Sequence, residues 1–131
     1  MTAHAILFLI ARLFLAAMFL RAGWGKIEAY GQTVAAIGGR GVPFPQFAAP
    51  LAVFAEVAGG IALLVGYRAR LAAAGLIVYV ALVNYFFHDF WHLAGGEQRV
   101  QTTQFVKNLS IMSGLIFLVG AGPGRISIDR S

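Results

Sequence analysis

The chain has 131 residues, of which 60% are hydrophobic and 11% are charged, and it contains no cysteine. Soluble domains carry about 25% charged residues, and a chain this short forms a single domain whose interior is too small for so much apolar surface. The composition therefore predicts one membrane-embedded domain over residues 1–131. Without cysteine, the chain has no disulfide, no Cys-ligated metal and no Cys-ligated cluster. Its ten Lys and Arg residues are scattered singly, which excludes a nucleic-acid partner.

Four segments are apolar and long enough to cross a lipid bilayer as helices, which takes about 20 residues each. In chain order they cover approximately residues 6–24, 47–65, 71–87 and 105–121. The connection at 67–70 is short and carries two arginines, which predicts a tight hairpin between the second and third spans. We therefore predict an all-α membrane protein, built as a four-helix transmembrane bundle.

The connection between the first and second spans is long and interrupted by glycine and proline. Within it, residues 30–37 predict a short interfacial helix, and residues 42–45 predict an extended segment before the second span. Four crossings place both termini on one face of the membrane. A slight excess of arginine on that face predicts cytoplasmic termini by the positive-inside rule. These arginines are Arg68, Arg70, Arg125 and Arg130.

Ionisable and amide side chains within the spans are costly in lipid, so each needs a structural or functional reason. Counting about 1.5 Å of rise per residue places five of them in one layer near the face opposite the termini. They are Arg21, Asn84, His88, Lys107 and Asn108. Glu56 lies below this layer and is the only acid deep in the membrane. We expect these six residues, the predicted pocket, to bind a ligand head group or to provide a proton path through Glu56 and His88.

A carboxylate at the depth of Glu56 needs a cationic partner, and a guanidinium can pair with it through two hydrogen bonds. We predict that Glu56 pairs with Arg12 or Arg21 inside the bundle. The simplest interpretation is a structural ion pair that fixes the register of the helices.

His88 and His92 have the i, i+4 spacing that can hold a metal on one helix face. Only Asp89 is close enough in sequence to be a third ligand, and Phe90 and Trp91 are typical of a membrane interface. We therefore predict no metal site.

Aromatic residues at the other helix ends fit an interfacial belt or, alternatively, the rim of a pocket for a flat quinone ring. The sequence has no nucleophile elbow, phosphate loop or dinucleotide fingerprint, so covalent hydrolytic catalysis is not expected.

Short motifs along nearly the whole chain resemble those of DoxX-family membrane proteins, in the expected order. They are Arg12-Leu-Phe-Leu, Arg21-Ala-Gly-Trp-Gly-Lys26, Gly41-Val-Pro-Phe-Pro45, Glu56-Val-Ala-Gly-Gly60 and Phe105-Val-Lys-Asn-Leu109.

The resemblance implies a four-helix membrane protein in a family named for a subunit of a terminal quinol oxidase, with related members in thiosulfate:quinone oxidoreductase. It implies quinone as the bound redox molecule and the cytoplasmic (inner) membrane of a prokaryote as the location. The positions that match the family's recurrent polar and glycine positions are Arg12, Gly23, Lys26, Glu56, Gly60, Lys107 and Asn108.

Three functions are open at this point, and the sequence does not decide whether the chain is itself an enzyme. The first is a small membrane subunit of a quinone-linked electron-transfer (oxidoreductase) system, with quinone in the predicted pocket. A partner membrane or peripheral redox protein would supply the redox centre. The second is a non-catalytic assembly or scaffold subunit of a larger complex. The third is a small-solute or proton transporter, which would be a homo-oligomer because four short helices leave little room for a pathway.

Overall fold

The computed structural model describes residues 2–129. The α-helices of this part are α1 (Ala3–Glu28), α2 (Tyr30–Gly39), α3 (Pro45–Val65), α4 (Ala69–Phe87) and α5 (Gly95–Ala121). A short 3-10 turn, Phe90–His92, follows α4, and the described residues form no strand. α1, α3, α4 with its following turn, and α5 are long and apolar enough to cross a membrane. The predicted all-α bundle of four spans is therefore confirmed, and α2 is the predicted short helix between the first two spans.

The helix ends have local causes. The Thr2 side chain accepts a hydrogen bond from the backbone N–H of Ala5 (3.2 Å), which caps the first turn of α1. Pro45 begins α3, where its fixed φ and missing N–H suit the first helical position. α3 ends at Val65 and is capped by Gly66, whose φ of 74° lies in the left-handed region that glycine adopts without strain. Arg68, with a φ of 45°, completes the tight hairpin to α4.

α5 begins at Gly95, well before residue 105, where the predicted fourth span starts. The added turns are polar. The hydroxyls of Thr102 and Thr103 donate to the backbone carbonyls of Gln98 and Arg99, at 2.7 and 2.9 Å. Hydropathy identifies the apolar part of a helix only, so it cannot detect this polar extension.

The spanning helices pack in the order α1, α3, α4, α5, and α2 lies against α3. α1 and α3 approach closely at Gly60, where an added Cβ would lie 2.9 Å from the Leu20 side chain. Close approach of backbones through small residues is a common way for helices to associate in lipid. The core holds apolar side chains with almost no exposed surface. They include Ala16, Phe19, Leu63, Leu76 and Leu115.

The segment after α5 folds back across the end of the bundle. The backbone N–H groups of Ile128 and Asp129 donate to the carbonyls of Val65 and Gly66, at 3.0 and 3.1 Å. The Asp129 carboxylate in turn accepts from the backbone N–H of Arg68 at 2.9 Å. This strap covers the hairpin between α3 and α4, at the face of the membrane that carries the termini.

Candidate functional site

A cavity of about 650 Å³ lies in the half of the bundle opposite the termini. Sites for small molecules and cofactors have volumes of this order. All five helices contribute to its wall, which is mostly apolar and includes Phe19, Ala52, Val80 and Phe86. Polar side chains reach the wall in two places, one deep in the bundle around Glu56 and one beside α5.

The deep polar group consists of Lys26, Glu56 and Tyr79. Lys26 Nζ lies 2.7 Å from Glu56 Oε1, and the Tyr79 hydroxyl donates a hydrogen bond to the same oxygen. The Glu56 residue is only 3% exposed, so its charge is removed from solvent and lipid. Its other oxygen, Oε2, is buried and has no hydrogen-bond partner among the described residues. Glu56 is one of the residues that line the cavity, so a buried carboxylate with one unpartnered oxygen lies beside this space.

Glycine and helix periodicity explain how the deep polar group is assembled. A Cβ at Gly23 would lie 2.7 Å from Val57 Cγ2 and 3.2 Å from Glu56 Cβ, so glycine at this position brings α1 against α3. Lys26 follows Gly23 by three residues and projects from the same face of α1. The close approach at Gly23 therefore sets the distance between the ammonium and the carboxylate.

The second polar group lies beside α5 and consists of His88, Lys107 and Asn108. Together with Glu56, these are four of the six predicted pocket residues, and all four line the cavity. Asn84 is buried behind them: its amide nitrogen donates to the Phe105 carbonyl at 3.3 Å, and its amide oxygen accepts from Asn108 at 2.8 Å. Asn84 thus orients Asn108 on the wall and does not line the cavity itself.

The predicted pairing of Glu56 with an arginine is corrected by the structure, because Lys26 occupies that place. Arg12 is buried, but its guanidinium donates to the carbonyls of Leu63 (3.2 Å) and Ile126, near the end of α3 and on the strap. Arg21 is exposed on the outer side of α1 and does not line the cavity. Arg12 faces the interior of the bundle but lies nearer the termini than Glu56. Arg21 lies close to the depth of Glu56 but is on the exposed side of α1.

Two residues of the deep polar group are absent from the predicted pocket, although Lys26 matches a recurrent family position and both have a signal in the sequence. The α1 residues that face the bundle interior recur every three or four positions and form a stripe along the helix. Lys26 is the next position on this stripe after Gly23. The preceding members are Arg12, Ala16 and Phe19. Tyr79 is the only hydroxyl within the apolar stretch 71–84, and a buried tyrosine hydroxyl needs a hydrogen-bond partner.

A cluster of charged residues lies near the face opposite the termini, and its members do not line the cavity. Arg40, which follows α2, lies 3.8 Å from Asp89 Oδ1, and His92 Nε2 lies 2.5 Å from Asp89 Oδ2. His88 has a separate partner, because its Nδ1 lies 2.7 Å from Gln101 Oε1. The two histidines therefore do not converge, and no group of three metal-ligating side chains occurs in the described part of the chain.

Comparison with known proteins gives one family and several relatives. The DoxX family model matches residues 7–89. The inner membrane protein YqjF of Escherichia coli is 38% identical over 122 residues, which covers 93% of this chain and 88% of the relative. The inner membrane protein YphA of the same species is 33% identical over 128 residues, covering 98% and 91%. A surfeit locus protein 4 homolog of Schizosaccharomyces pombe is 31% identical over 68 residues, only 22% of its length. No solved structure matches the chain.

The family match contains the whole deep polar group, since Lys26, Glu56 and Tyr79 all lie within residues 7–89. Lys107 and Asn108 lie beyond the match, in α5. The four apolar helices and the two relatives named as inner membrane proteins support a location within the inner membrane. The chain belongs to the DoxX family of membrane proteins.

Proposed function

We propose that the chain is a small membrane subunit of a quinone-linked electron-transfer system, and that its cavity binds the ring of a quinone or quinol. The observation that carries this proposal is a buried carboxylate beside an apolar cavity, with one oxygen that has no hydrogen-bond partner among the described residues. Glu56 Oε2 has no partner among the described residues, while Oε1 contacts both Lys26 and Tyr79. A ligand for this site needs a flat apolar body and a few polar atoms at one end.

The deep polar group has hydrogen-bonding groups for both forms of such a ring. A quinol hydroxyl can donate to the Glu56 carboxylate, and a quinone carbonyl can accept from the ammonium of Lys26, which has three N–H groups. Hydrogen bonds to charged groups contribute about 1.5–3 kcal/mol each, more than neutral ones. Glu56 is also positioned to take up a proton from a bound hydroxyl, with Lys26 and Tyr79 stabilising the carboxylate until then.

Electrons would have to leave the ring through another protein. The chain has no cysteine, so it cannot hold an iron–sulfur cluster through thiolates. We therefore propose a membrane or peripheral redox protein as the partner. We place the termini in the cytoplasm, because Arg68, Arg70 and Arg125 lie at the face that carries them. The cavity would then lie in the outer half of the membrane.

The proposal is tested by extracting the protein in mild detergent and measuring bound quinone by mass spectrometry and absorption. We expect stoichiometric quinone with the unaltered chain and a large loss with Glu56→Gln, which keeps the shape but removes the charge. Glu97→Gln is the matched control, because Glu97 is exposed in the first turn of α5 and does not line the cavity. Absence of quinone from the unaltered protein would contradict the proposal.

A second candidate is a non-catalytic assembly subunit, and the outer side of α5 favours it. Ser110 and Ser113 are exposed there, and their hydroxyls donate only to carbonyls of their own helix among the described contacts. Small hydroxyl residues are enriched where membrane helices contact each other. Co-purification of a partner protein without quinone, reduced by Ser113→Leu, would support this function instead.

A further inference from the structure

A groove of about 440 Å³ runs between α3 and α4, on the part of the bundle nearer the termini. Ala55 and Gly75 line both this groove and the cavity, so the two spaces adjoin at these residues. The floor of the groove is made largely of small side chains. They are Ala58, Gly59, Ala62 and Ala72.

The groove and the adjoining side of the cavity face the surroundings of the bundle. Leu51, Val78 and Leu82 line the cavity and are nevertheless 67%, 61% and 52% exposed. Phe54 and Leu71, which line the groove, are exposed as well. All of these residues belong to the apolar parts of α3 and α4, which lie in the hydrocarbon. The cavity therefore opens sideways into the membrane between α3 and α4.

The inner end of this path, which is the end away from the lipid, is polar. From Tyr79, which contacts Glu56, to Leu71 in the groove the distance along α4 is eight residues, or roughly 12 Å. One end thus offers a buried carboxylate with an unpartnered oxygen, and the rest of the lining is apolar except for Tyr67 and Arg68 at the hairpin end of the groove. A ligand that satisfies both parts has a hydrogen-bonding head and a long hydrocarbon chain.

We propose that the ligand enters from the bilayer between α3 and α4, and that its chain lies in the groove while its head reaches Glu56. The identity of the head as a quinone ring rests on the function proposed above. The chain route rests independently on the shared lining at Ala55 and Gly75. The occupant is therefore a long-chain quinone taken from the membrane, not a short quinone taken from water.

Gly75 offers a way to obstruct the route without damaging the fold. A Cβ built at Gly75 meets no atom within 4 Å, so a side chain can begin there without a clash, at a residue that lines both the groove and the cavity. Gly120 of α5 is the matched control, because its added Cβ also meets nothing and it lines neither space. The variants are Gly75→Leu and Gly120→Leu.

The experiment uses two photoreactive probes in lipid nanodiscs, with labelled residues identified by mass spectrometry. Both carry a diazirine in the same alkyl chain; one has a benzoquinone head and the other a phosphocholine head. We expect the quinone probe to label Phe54, Leu71 or their neighbours in the groove. An obstructed junction excludes a well-packed chain, so Gly75→Leu should lower this labelling roughly tenfold. Gly120→Leu should leave it unchanged.

The other outcomes distinguish a failure of the entry route between α3 and α4 from a failure of the proposed quinone function. Chain labelling at Met18 or Ile111, on the opposite side of the cavity, would overturn the route between α3 and α4 and leave the quinone function standing. Labelling of the groove by the phosphocholine probe alone, still sensitive to Gly75→Leu, would overturn the quinone head and keep the route. Labelling by neither probe, or labelling insensitive to Gly75→Leu, would overturn the route.

Discussion

Lys26 and Glu56 form a 2.7 Å ion pair across the contact between α1 and α3, at the wall of the cavity. Lys26 is the only cation that contacts this carboxylate among the described residues. The lysine side chain is partly exposed, whereas that of Glu56 is almost fully enclosed. The pair therefore neutralises a buried charge, while the second carboxylate oxygen has no hydrogen-bond partner among the described residues.

Removal of Lys26 should destabilise the protein. Lys26→Met leaves the Glu56 charge without a cationic partner, which should lower the free energy of unfolding by about 1–3 kcal/mol. The double variant with Glu56→Gln should recover part of this loss, because the charge that needed the partner is gone. The measurement is reversible unfolding in mixed micelles. Arg40→Met, which breaks the more exposed contact with Asp89, should lower the free energy of unfolding only slightly. Equal losses for Lys26→Met and Arg40→Met would contradict this account.

The Tyr79 hydroxyl should matter for the site more than for the fold. Tyr79→Phe removes one hydrogen bond to Glu56 and should cost about 1 kcal/mol of stability. Quinone retention should fall, since the carboxylate loses one of the groups that orient it. Tyr85→Phe is the control because Tyr85 is exposed on the same helix. Equal quinone content in the two variants, measured after detergent extraction, would argue against a role for Tyr79.

The Arg12 guanidinium should hold the strap against the bundle. Arg12→Met leaves the buried carbonyls of Leu63 and Ile126 without their donor, at a cost of about 1–3 kcal/mol. Trypsin should then cleave faster after Arg125, which lies on the strap. Arg21→Met should leave the cleavage rate unchanged, because Arg21 is exposed on the outer side of α1. If Arg12→Met leaves both stability and cleavage unaltered, Arg12 does not hold the strap.

Glycine at position 23 should be necessary for the ion pair. The Cβ of Gly23→Ala would lie 2.7 Å from Val57 Cγ2, so α1 and α3 must separate, at a cost of about 1–3 kcal/mol. Val57→Ala removes the atom in conflict and should restore part of the stability. Gly25→Ala, where the added atom meets nothing, should be neutral or slightly stabilising. These differences can be measured by thermal unfolding in detergent, and a Gly23→Ala variant as stable as Gly25→Ala would contradict the close approach.

The spans could be predicted from sequence because a long apolar segment has few alternatives to a membrane helix. α2 could be predicted from its flanking glycines and prolines, whereas the polar start of α5 has no hydropathy signal. The prediction of an arginine partner for Glu56 rests on depth and on the ability of a guanidinium to form two hydrogen bonds with a carboxylate. Counting residues along the helices places Arg12 and Arg21 nearest in depth to Glu56. The α1 residues that face the bundle interior, however, continue along the helix to Lys26. The strap depends on contacts between Arg12 and Ile126, which are far apart in sequence, and no local pattern encodes them.

The central claim is that the free oxygen of Glu56 binds the head of a membrane quinol, and equilibrium binding tests it most directly. The measurement is the dissociation constant of a long-chain ubiquinol for the protein in lipid nanodiscs, under reducing conditions. Loss of one hydrogen bond to a charged group predicts that Glu56→Gln weakens binding by about 10- to 100-fold, with Glu97→Gln unchanged. Equal affinity of Glu56→Gln and the unaltered protein, or no saturable binding by either, would contradict the claim.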